Sequence, residues 1–499
     1  MKRNGMIRFL CGMLAAILMA APVLAASPTL DLGIESYVFN RRGSSFHATP
    51  APMPYRWVGS ITAEDIGVDN ISMLGEIKYQ SGRFFIINAS SLIITDNDFN
   101  HITTLTGMMV DGEFINFGPL EGIFVTHTGE LYITDPNPGR IWHLDREFNF
   151  IRVLGRPDNI PAAGAHWNYH PTKVAVDHHG RIYVIARGVH EGLMELNPDG
   201  SFNRYLGTVP IRFSAAQIFW RALQTQQQRA RALLVLSTQF SNLTVDRHGF
   251  IYATVFEGPD GTPVMRLNAR GQNILRSPYD DLMPGDLNFN HFGMGSQLVP
   301  VGPSILNFIQ VTDFGVMYVF DTNRNRLFAY DYDGHMLFAF GGTGQRIGHT
   351  QIAVGMTMAS DNRLIIADRQ TRTLEVFERT AYGIYVMEAA RLQFNADWEG
   401  AAQYWRRVLH YNPYFQFAYL GVGRYLYRHG RADEAVHYFQ MAQNVAYFSR
   451  AFSDVRSQFM ADQFDTIVFG GAGLIVLYIV YRNVKKYRRA AKQKRGALA

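Results

Sequence analysis

Six stretches of this chain share one local grammar, and that recurrence limits the possible fold more than any other feature. They are "GEIKYQSGRFFIIN" from Gly75, "GIFVTHTGELYITD" from Gly122, "VAVDHHGRIYVIA" from Val174, "LTVDRHGFIYATV" from Leu243, "IQVTDFGVMYVFD" from Ile309 and "MTMASDNRLIIAD" from Met356. Each alternates apolar and polar residues, breaks at a polar turn ending in Gly or Asn, and alternates again. Period-two hydrophobicity across such a turn specifies a β-hairpin, and Gly supplies the positive φ that a tight turn requires.

Each hairpin is followed by further strand-like sequence and often an Asp-Gly or Asn-type turn, as in "GLMELNPDGSFNRYLG" and "NRLFAYDYDGHMLFAFGG". About four strands therefore make one unit. The turn residues fall at 82, 129, 180, 249, 315 and 362, in steps of 47, 51, 69, 66 and 47. A four-stranded repeat of roughly 40–50 residues is a propeller blade rather than a solenoid coil, and the two long steps imply insertions. Six units predict six blades. "PYRWVGSITAEDIG", after the Pro-rich "ATPAPMP", is the candidate closing strand: Tyr55 to Ile61 is expected to pair with the sheet containing Arg363 to Phe377.

The adjacent histidines His178 and His179 occupy the two central positions of one hairpin turn, where other copies have His127-Thr128 and Arg247-His248. Metal binding would need further ligands converging on one point, whereas adjacent tip side chains are expected to diverge, so these histidines read as a solvated tip.

The units resemble NHL repeats, in which a strand ending in Asp is followed a few residues later by an Arg opening the next strand. Asp135 precedes Arg140, Asp321 precedes Arg326 and Asp368 precedes Arg372. The resemblance covers about Tyr55 to Arg379 and implies a structural role for these pairs, the carboxylate accepting turn N–H groups and meeting the Arg. The Asp is missing at Asn88, Ala186 and Val255.

After Thr380 the alternation gives way to helical periodicity. "ADWEGAAQYWRRVLHYNP" and "GRADEAVHYFQMAQN" align at a step of 34, Ala401 with Ala435, Trp405 with Phe439 and Val408 with Ala442. With Leu420-Gly421, Gly430 and Pro413 this resembles the tetratricopeptide repeat, which implies a short array that binds peptide segments or other subunits, or simply connects.

The two ends read as membrane signals. Lys2, Arg3 and Arg8 precede "FLCGMLAAILMAAPVLA" and small residues at a cleavage position, the layout of a secretory signal. Cys11 is the only cysteine, so cleavage would leave no thiol for disulfides or thiolate sites. "TIVFGGAGLIVLYIVY", Thr466 to Tyr481, is uncharged and precedes eight basic residues, as a stop-transfer helix does. Of the 47 basic residues three lie in the signal and eight in the tail, neither of which holds an acid, so the stretch between carries 36 basic against 42 acidic side chains. The net charge of +5 is thus no argument for nucleic-acid binding.

The expected organisation is a signal peptide (1–26), an N-terminal linker (27–54), a mainly β six-bladed NHL-type propeller (55–380) with insertions at 209–240 and 277–304, a small all-α tetratricopeptide-like domain (381–447), a capping helix (448–463), one transmembrane helix (464–482) and a basic cytoplasmic tail (483–499). Both insertions link an outer strand to the next inner strand, so they emerge on one face, and long loops in a compact domain are commonly functional. Ile218, Phe219, Trp220 and Leu223 in the first, with Phe289 and Phe292 in the second, are the candidate partner-binding residues.

No catalytic residue, metal or cofactor is assigned. "FGGTGQRIG" from Phe340 is glycine-rich but lacks the Lys-Ser/Thr of a phosphate loop. The leading expectation is a single-pass membrane protein whose exported part binds a protein or a carbohydrate, such as an envelope or transporter subunit. The alternative is a metal-dependent lactonase or hydrolase using the propeller channel, as the outline resemblance to gluconolactonases implies. That alternative requires acidic, amide or His side chains gathered at the axis.

Overall fold

The computed structural model describes residues 36–42, 45–160, 169–189, 191–207, 239–257, 263–276, 285–286 and 304–496. The segment 1–26 read as a signal lies outside these, as do Ile218, Phe219, Trp220, Leu223, Phe289 and Phe292. The chain divides into two compact units, one of residues 1–39 and 46–384, the other of 40–45 and 385–499.

The first unit is a six-bladed β-propeller. Blade one is β4 (Leu74–Gln80), β5 (Arg83–Asn88), β6 (Ser91–Asp96) and β7 (His101–Leu105); blade two is β10 (Gly122–Val125), β11 (Leu131–Asp135), β12 (Arg140–Leu144) and β13 (Phe150–Leu154). Blade three is β14 (His170–Val176), β15 (Ile182–Arg187), β16 (Leu193–Leu196) and β17 (Phe202–Leu206). Blade four has β18 (Gln239–Val245), β19 (Ile251–Glu257) and β20 (Val264–Leu267), with an isolated bridge from Leu267 to Asn273 where a fourth strand would run.

Blade five is β21 (Leu306–Val311), β22 (Met317–Asp321), β23 (Arg326–Tyr330) and β24 (Met336–Phe340), and blade six is β25 (Ala353–Met358), β26 (Leu364–Asp368) and β27 (Thr373–Arg379) completed by β3 (Tyr55–Ile61). β3 pairs antiparallel with β27, Trp57 opposite Phe377 and Tyr55 opposite Arg379, and a short helix α1 (Ala63–Ile66) follows β3. The ring thus closes by the predicted N-terminal strand, which removes the edge that an open sheet would expose.

The second and third strands of the blades are buried on both faces, because each sheet packs against the next. One cluster joins Phe85, Ile87 and Ile94 of blade one to Ile123, Ile133 and Trp142 of blade two. Another joins Ala175 and Tyr183 of blade three to Leu243, Ala253 and Met265 of blade four. The hairpin turns take the backbone predicted for them, Gly180 at φ 78° and Asn362 at φ 69°.

Two features depart from the sequence reading. The stretch read as a linker contains β1 (Ser36–Arg42) and β2 (Ser45–Pro50), which extend blade five outward through pairing of β1 with β24. Tyr37 and Phe39 bury there against Phe328, and the short run between polar residues hid the alternation. A separate hairpin, β8 (Gly107–Val110) with β9 (Glu113–Asn116), lies between blades one and two.

The second unit is helical. From Tyr385 it includes most of α2 (Ala381–Phe394), then α3 (Trp398–Tyr411), α4 (Gln416–Arg428), α5 (Ala432–Met441), α6 (Val445–Asp462) and α7 (Phe464–Gly496). Trp405 of α3 is fully buried, meeting Phe417 edge to face at 5.3 Å, and its indole nitrogen donates to Gln393 at 3.2 Å. Phe439 of α5 stacks on Tyr447 of α6 at 5.1 Å. Phe464–Arg489 is the one helix among the described residues long and apolar enough to cross a membrane, with mean hydropathy 1.8 over its most apolar window.

Candidate interaction face and ring axis

The inner strands face one another around the axis, and there the polar side chains pair among themselves. Glu76 on β4 is buried, with Lys173 of β14 at 2.8 Å and Lys78 at 3.0 Å. The Lys173 ammonium also donates to the Glu121 carbonyl at 3.1 Å, and the Ile123 N–H donates to Glu76 at 3.3 Å. Burial alone would raise the Glu76 pKa, but the two ammoniums outweigh it and hold the carboxyl at about 2. This carboxylate is a joint between blades one, two and three. Among the described residues no three His, Cys, Asp or Glu side chains are gathered closely enough to hold a metal ion.

The aspartates that close the second strand of a blade act on the loop that enters the same blade. Asp135 accepts the Gly118 N–H at 3.2 Å, Asp321 the Ile305 N–H at 3.1 Å, and Asp368 the N–H groups of Gln351 and of Ile352, the latter at 3.1 Å. Each spans sixteen or seventeen residues, so a buried carboxylate fastens the incoming loop to the turn beside it. In blade one Asn88 does the same work, its amide oxygen accepting from the N–H groups of Ser72 and Met73, both at 3.0 Å. The missing aspartate at Asn88 is therefore a substitution that keeps the clamp.

The arginines follow the motif less closely. Arg140 donates to Asp135 at 3.1 Å and lies over the Trp142 ring at 4.4 Å. In blade five Arg324 reaches Asp321 at 3.2 Å, while Arg326, opposite Asp321 in the strand register, donates to Asp286 at 2.8 Å and to the Gly341 carbonyl. Arg372 sits exposed at φ 61°, and its guanidinium has no hydrogen-bond partner among the described residues. The predicted pairing of Arg372 with Asp368 is thus corrected. The backbone turns left-handed there, and Asp368 spends its oxygens on Gln351, Ile352, Gln370 and Thr371 instead.

The histidine pair is a turn tip, with the His179 and Arg181 N–H groups donating to Asp177 at 2.9 and 3.0 Å. The two rings lie side by side, centroids 3.9 Å apart, rather than diverging as expected.

Because strands run alternately up and down, the turn after the second strand of a blade and the loop from an outer strand to the next inner strand share one face of the ring. The clamps of Asp135, Asp321, Asp368 and Asn88 all lie there. So does the glycine-rich loop 341–352, while the insertions fall almost wholly outside the described residues.

No family model and no curated protein matches the chain. Among solved structures it is similar to a streptogramin B lyase at 11% identity and TM-score 0.39, covering 65% of this chain and 98% of that one. It is similar as well to virginiamycin B lyase from Staphylococcus aureus at 9% identity and TM-score 0.37, covering 65% and 100%, and to the Cps50 (Swd1) β-propeller domain of Myceliophteria thermophila at 8% and 0.38, covering 66% and 100%. At these identities the likeness is one of chain path and carries no chemistry to this protein.

Proposed function

We propose that this protein is a membrane-anchored extracytoplasmic scaffold whose propeller and helical repeats bind a protein partner, in an envelope or transporter assembly. The observation that carries the reading is the use made of the buried carboxylates. Glu76, Asp135, Asp321 and Asp368 are each engaged by the protein's own ammonium, guanidinium or backbone N–H groups. Their chemistry maintains the ring, and recognition falls to its loops and outer surfaces. The Asp-turn-Arg recurrence supports NHL-type blades. The burial of Ala401, Trp405, Ala435 and Phe439, equivalent at a step of 34, supports tetratricopeptide-type helices. The basic run after Tyr481 supports a cytoplasmic tail, with the bulk of the chain outside after signal cleavage.

Crosslinking in intact membranes followed by affinity purification tests the proposal. A reproducible partner, lost when Phe219 and Trp220 are both changed to Ser or when residues 209–240 are replaced by a short linker, is the expected outcome. A chain that retrieves the same background proteins with and without the insertion would overturn it.

A further inference from the structure

A concave space of about 240 Å³ opens between the glycine-rich loop 341–352 and the strands that close the ring. Trp57 and Ser60 of β3 line one side, Asp368, Thr371 and Glu375 of blade six the base, and Gln345 to His349 of the loop the rim. The base is already organised. Glu375 is buried and accepts from the Trp57 indole N–H at 2.7 Å, from the Ser60 hydroxyl at 2.8 and 2.9 Å, and from the Thr373 hydroxyl at 2.7 Å. The indole is therefore held in one orientation by its own hydrogen bond, and a ligand does not have to order it.

The loop itself is not a phosphate cradle. The Gly344 and Thr350 N–H groups are used within it, on the Thr350 and Gly342 carbonyls at 3.2 Å each, and the His349 N–H donates to the Arg346 carbonyl at 3.0 Å. Two carboxylates, Asp368 and Glu375, line the same space and disfavour an anion. An apolar guest would offer no partner to the Arg346 guanidinium and the Gln345 amide at the rim. A single added cation has little to gain at Glu375, since its carboxylate already takes three donors, the Trp57 indole N–H and the Ser60 and Thr373 hydroxyls. Gln345 and Arg346 are exposed at the rim and make no side-chain hydrogen bond among the described residues. The base carboxylates are thus already hydrogen-bonded, the free groups are the Arg346 donors and the Gln345 amide with its donor and acceptor at the rim, and an aromatic side chain stands beside them.

We propose that this cleft binds one neutral polyhydroxylated ring, a single sugar unit, with its hydroxyls on the Arg346 guanidinium and the Gln345 amide and its C–H groups against Trp57. Its volume lies below the roughly 300–1,000 Å³ of drug-sized sites, which fits one ring at a time. Trp57 and Ser60 come from the N-terminal closing strand and Glu375 from its partner, so an occupant bridges the joint that closes the ring and stabilises it. This inference uses the propeller alone and does not depend on the scaffold reading above.

The test is saturation-transfer NMR and thermal unfolding of the full chain in a detergent without a sugar headgroup. The probes are the methyl glycosides of glucose, galactose, mannose and N-acetylglucosamine, with inorganic phosphate and a lysine-containing tripeptide as contrasts. At least one glycoside is expected to bind saturably and raise the melting temperature. Arg346→Ala, at an exposed rim position, and Trp57→Phe, which keeps a ring but loses the indole N–H, should each weaken binding by about five- to tenfold. The proposal fails if no glycoside binds, if both variants bind as well as the parent, or if phosphate or the peptide binds in preference.

Discussion

The hydroxyl oxygens of Tyr55 and Tyr318 lie 3.1 Å apart across 263 residues of sequence, and the Arg379 guanidinium donates to both, at 2.9 and 3.3 Å. Tyr55 belongs to the closing strand, Arg379 to the strand it pairs with, and Tyr318 to the neighbouring blade. Two paired strands of blade six and one strand of blade five therefore meet in one polar knot, which ties the closing strand to the neighbouring blade as well as to its own sheet. Arg379→Met should destabilise the propeller by about 2–3 kcal/mol, since the two hydroxyls lose their charged donor and keep only each other. Tyr55→Phe should cost about 1–2 kcal/mol, because Arg379 keeps Tyr318. Denaturant unfolding followed by near-ultraviolet circular dichroism measures both, and equal stability of all three proteins would show that the knot is dispensable.

Acid should loosen the ring at Glu76. A carboxyl held below its unfolded value of 4.5 stabilises the fold above that value, and the contribution is lost as pH falls towards 2. The loss should amount to a few kcal/mol, up to about 3, at the low end of that range. Glu76→Gln should be less stable than the parent at pH 7, because Lys78 and Lys173 are left facing each other, and its stability should fall less steeply between pH 4.5 and 2. Parallel slopes for the two proteins would assign the acid sensitivity elsewhere.

The blades were legible in sequence because a hairpin is a local object. Alternation, a turn residue tolerant of positive φ and the next alternation all fall within about fourteen residues. The closing strand could be placed because a ring needs a partner for its last sheet. What joins the blades was not legible, since Glu76 finds Lys173 at a separation of 97 and Trp57 finds Glu375 at 318. Glu76 and Lys78 read as ordinary polar positions of an alternating strand, and only the ring brings Lys173 to them. Trp57, Arg346 and Glu375 share no local pattern, so the cleft is a product of closure. Asp135 and Asp368 were visible as a recurring motif, yet their partners, loop N–H groups sixteen or seventeen residues earlier, carry no side-chain signature.

The clamp and the arginine can be separated experimentally. Asp368→Ala leaves the backbone N–H groups of Gln351, Ile352 and Gln370 without their acceptor, and should cost about 2–4 kcal/mol. Arg372→Ala, exposed and unpartnered among the described residues, should stay within about 0.5 kcal/mol of the parent. Asn88→Asp should be tolerated far better than Asn88→Ala, because the oxygen that receives the Ser72 and Met73 N–H groups survives. Thermal unfolding of the four variants decides the matter. A large loss for Arg372→Ala would restore the ion pair as the important element.

In the helical unit the same reasoning turns on one missing methyl group. Glycine inside a helix ordinarily costs about 1 kcal/mol relative to alanine, so Gly421→Ala would be expected to stabilise α4. A Cβ at Gly421, however, would collide with the Trp405 indole ring. That indole is fully buried, hydrogen-bonded to Gln393 and boxed by Phe415 and Phe417, so it has nowhere to move. Overpacking should outweigh propensity and leave Gly421→Ala destabilised by about 1–3 kcal/mol. Pairing it with Trp405→Phe, which shortens the ring at the point of collision, should recover part of the loss beyond the sum of the single effects, as contacting residues do. Far-ultraviolet melting of the single and double variants measures the coupling, and strict additivity would mean that α3 and α4 do not meet at this pair.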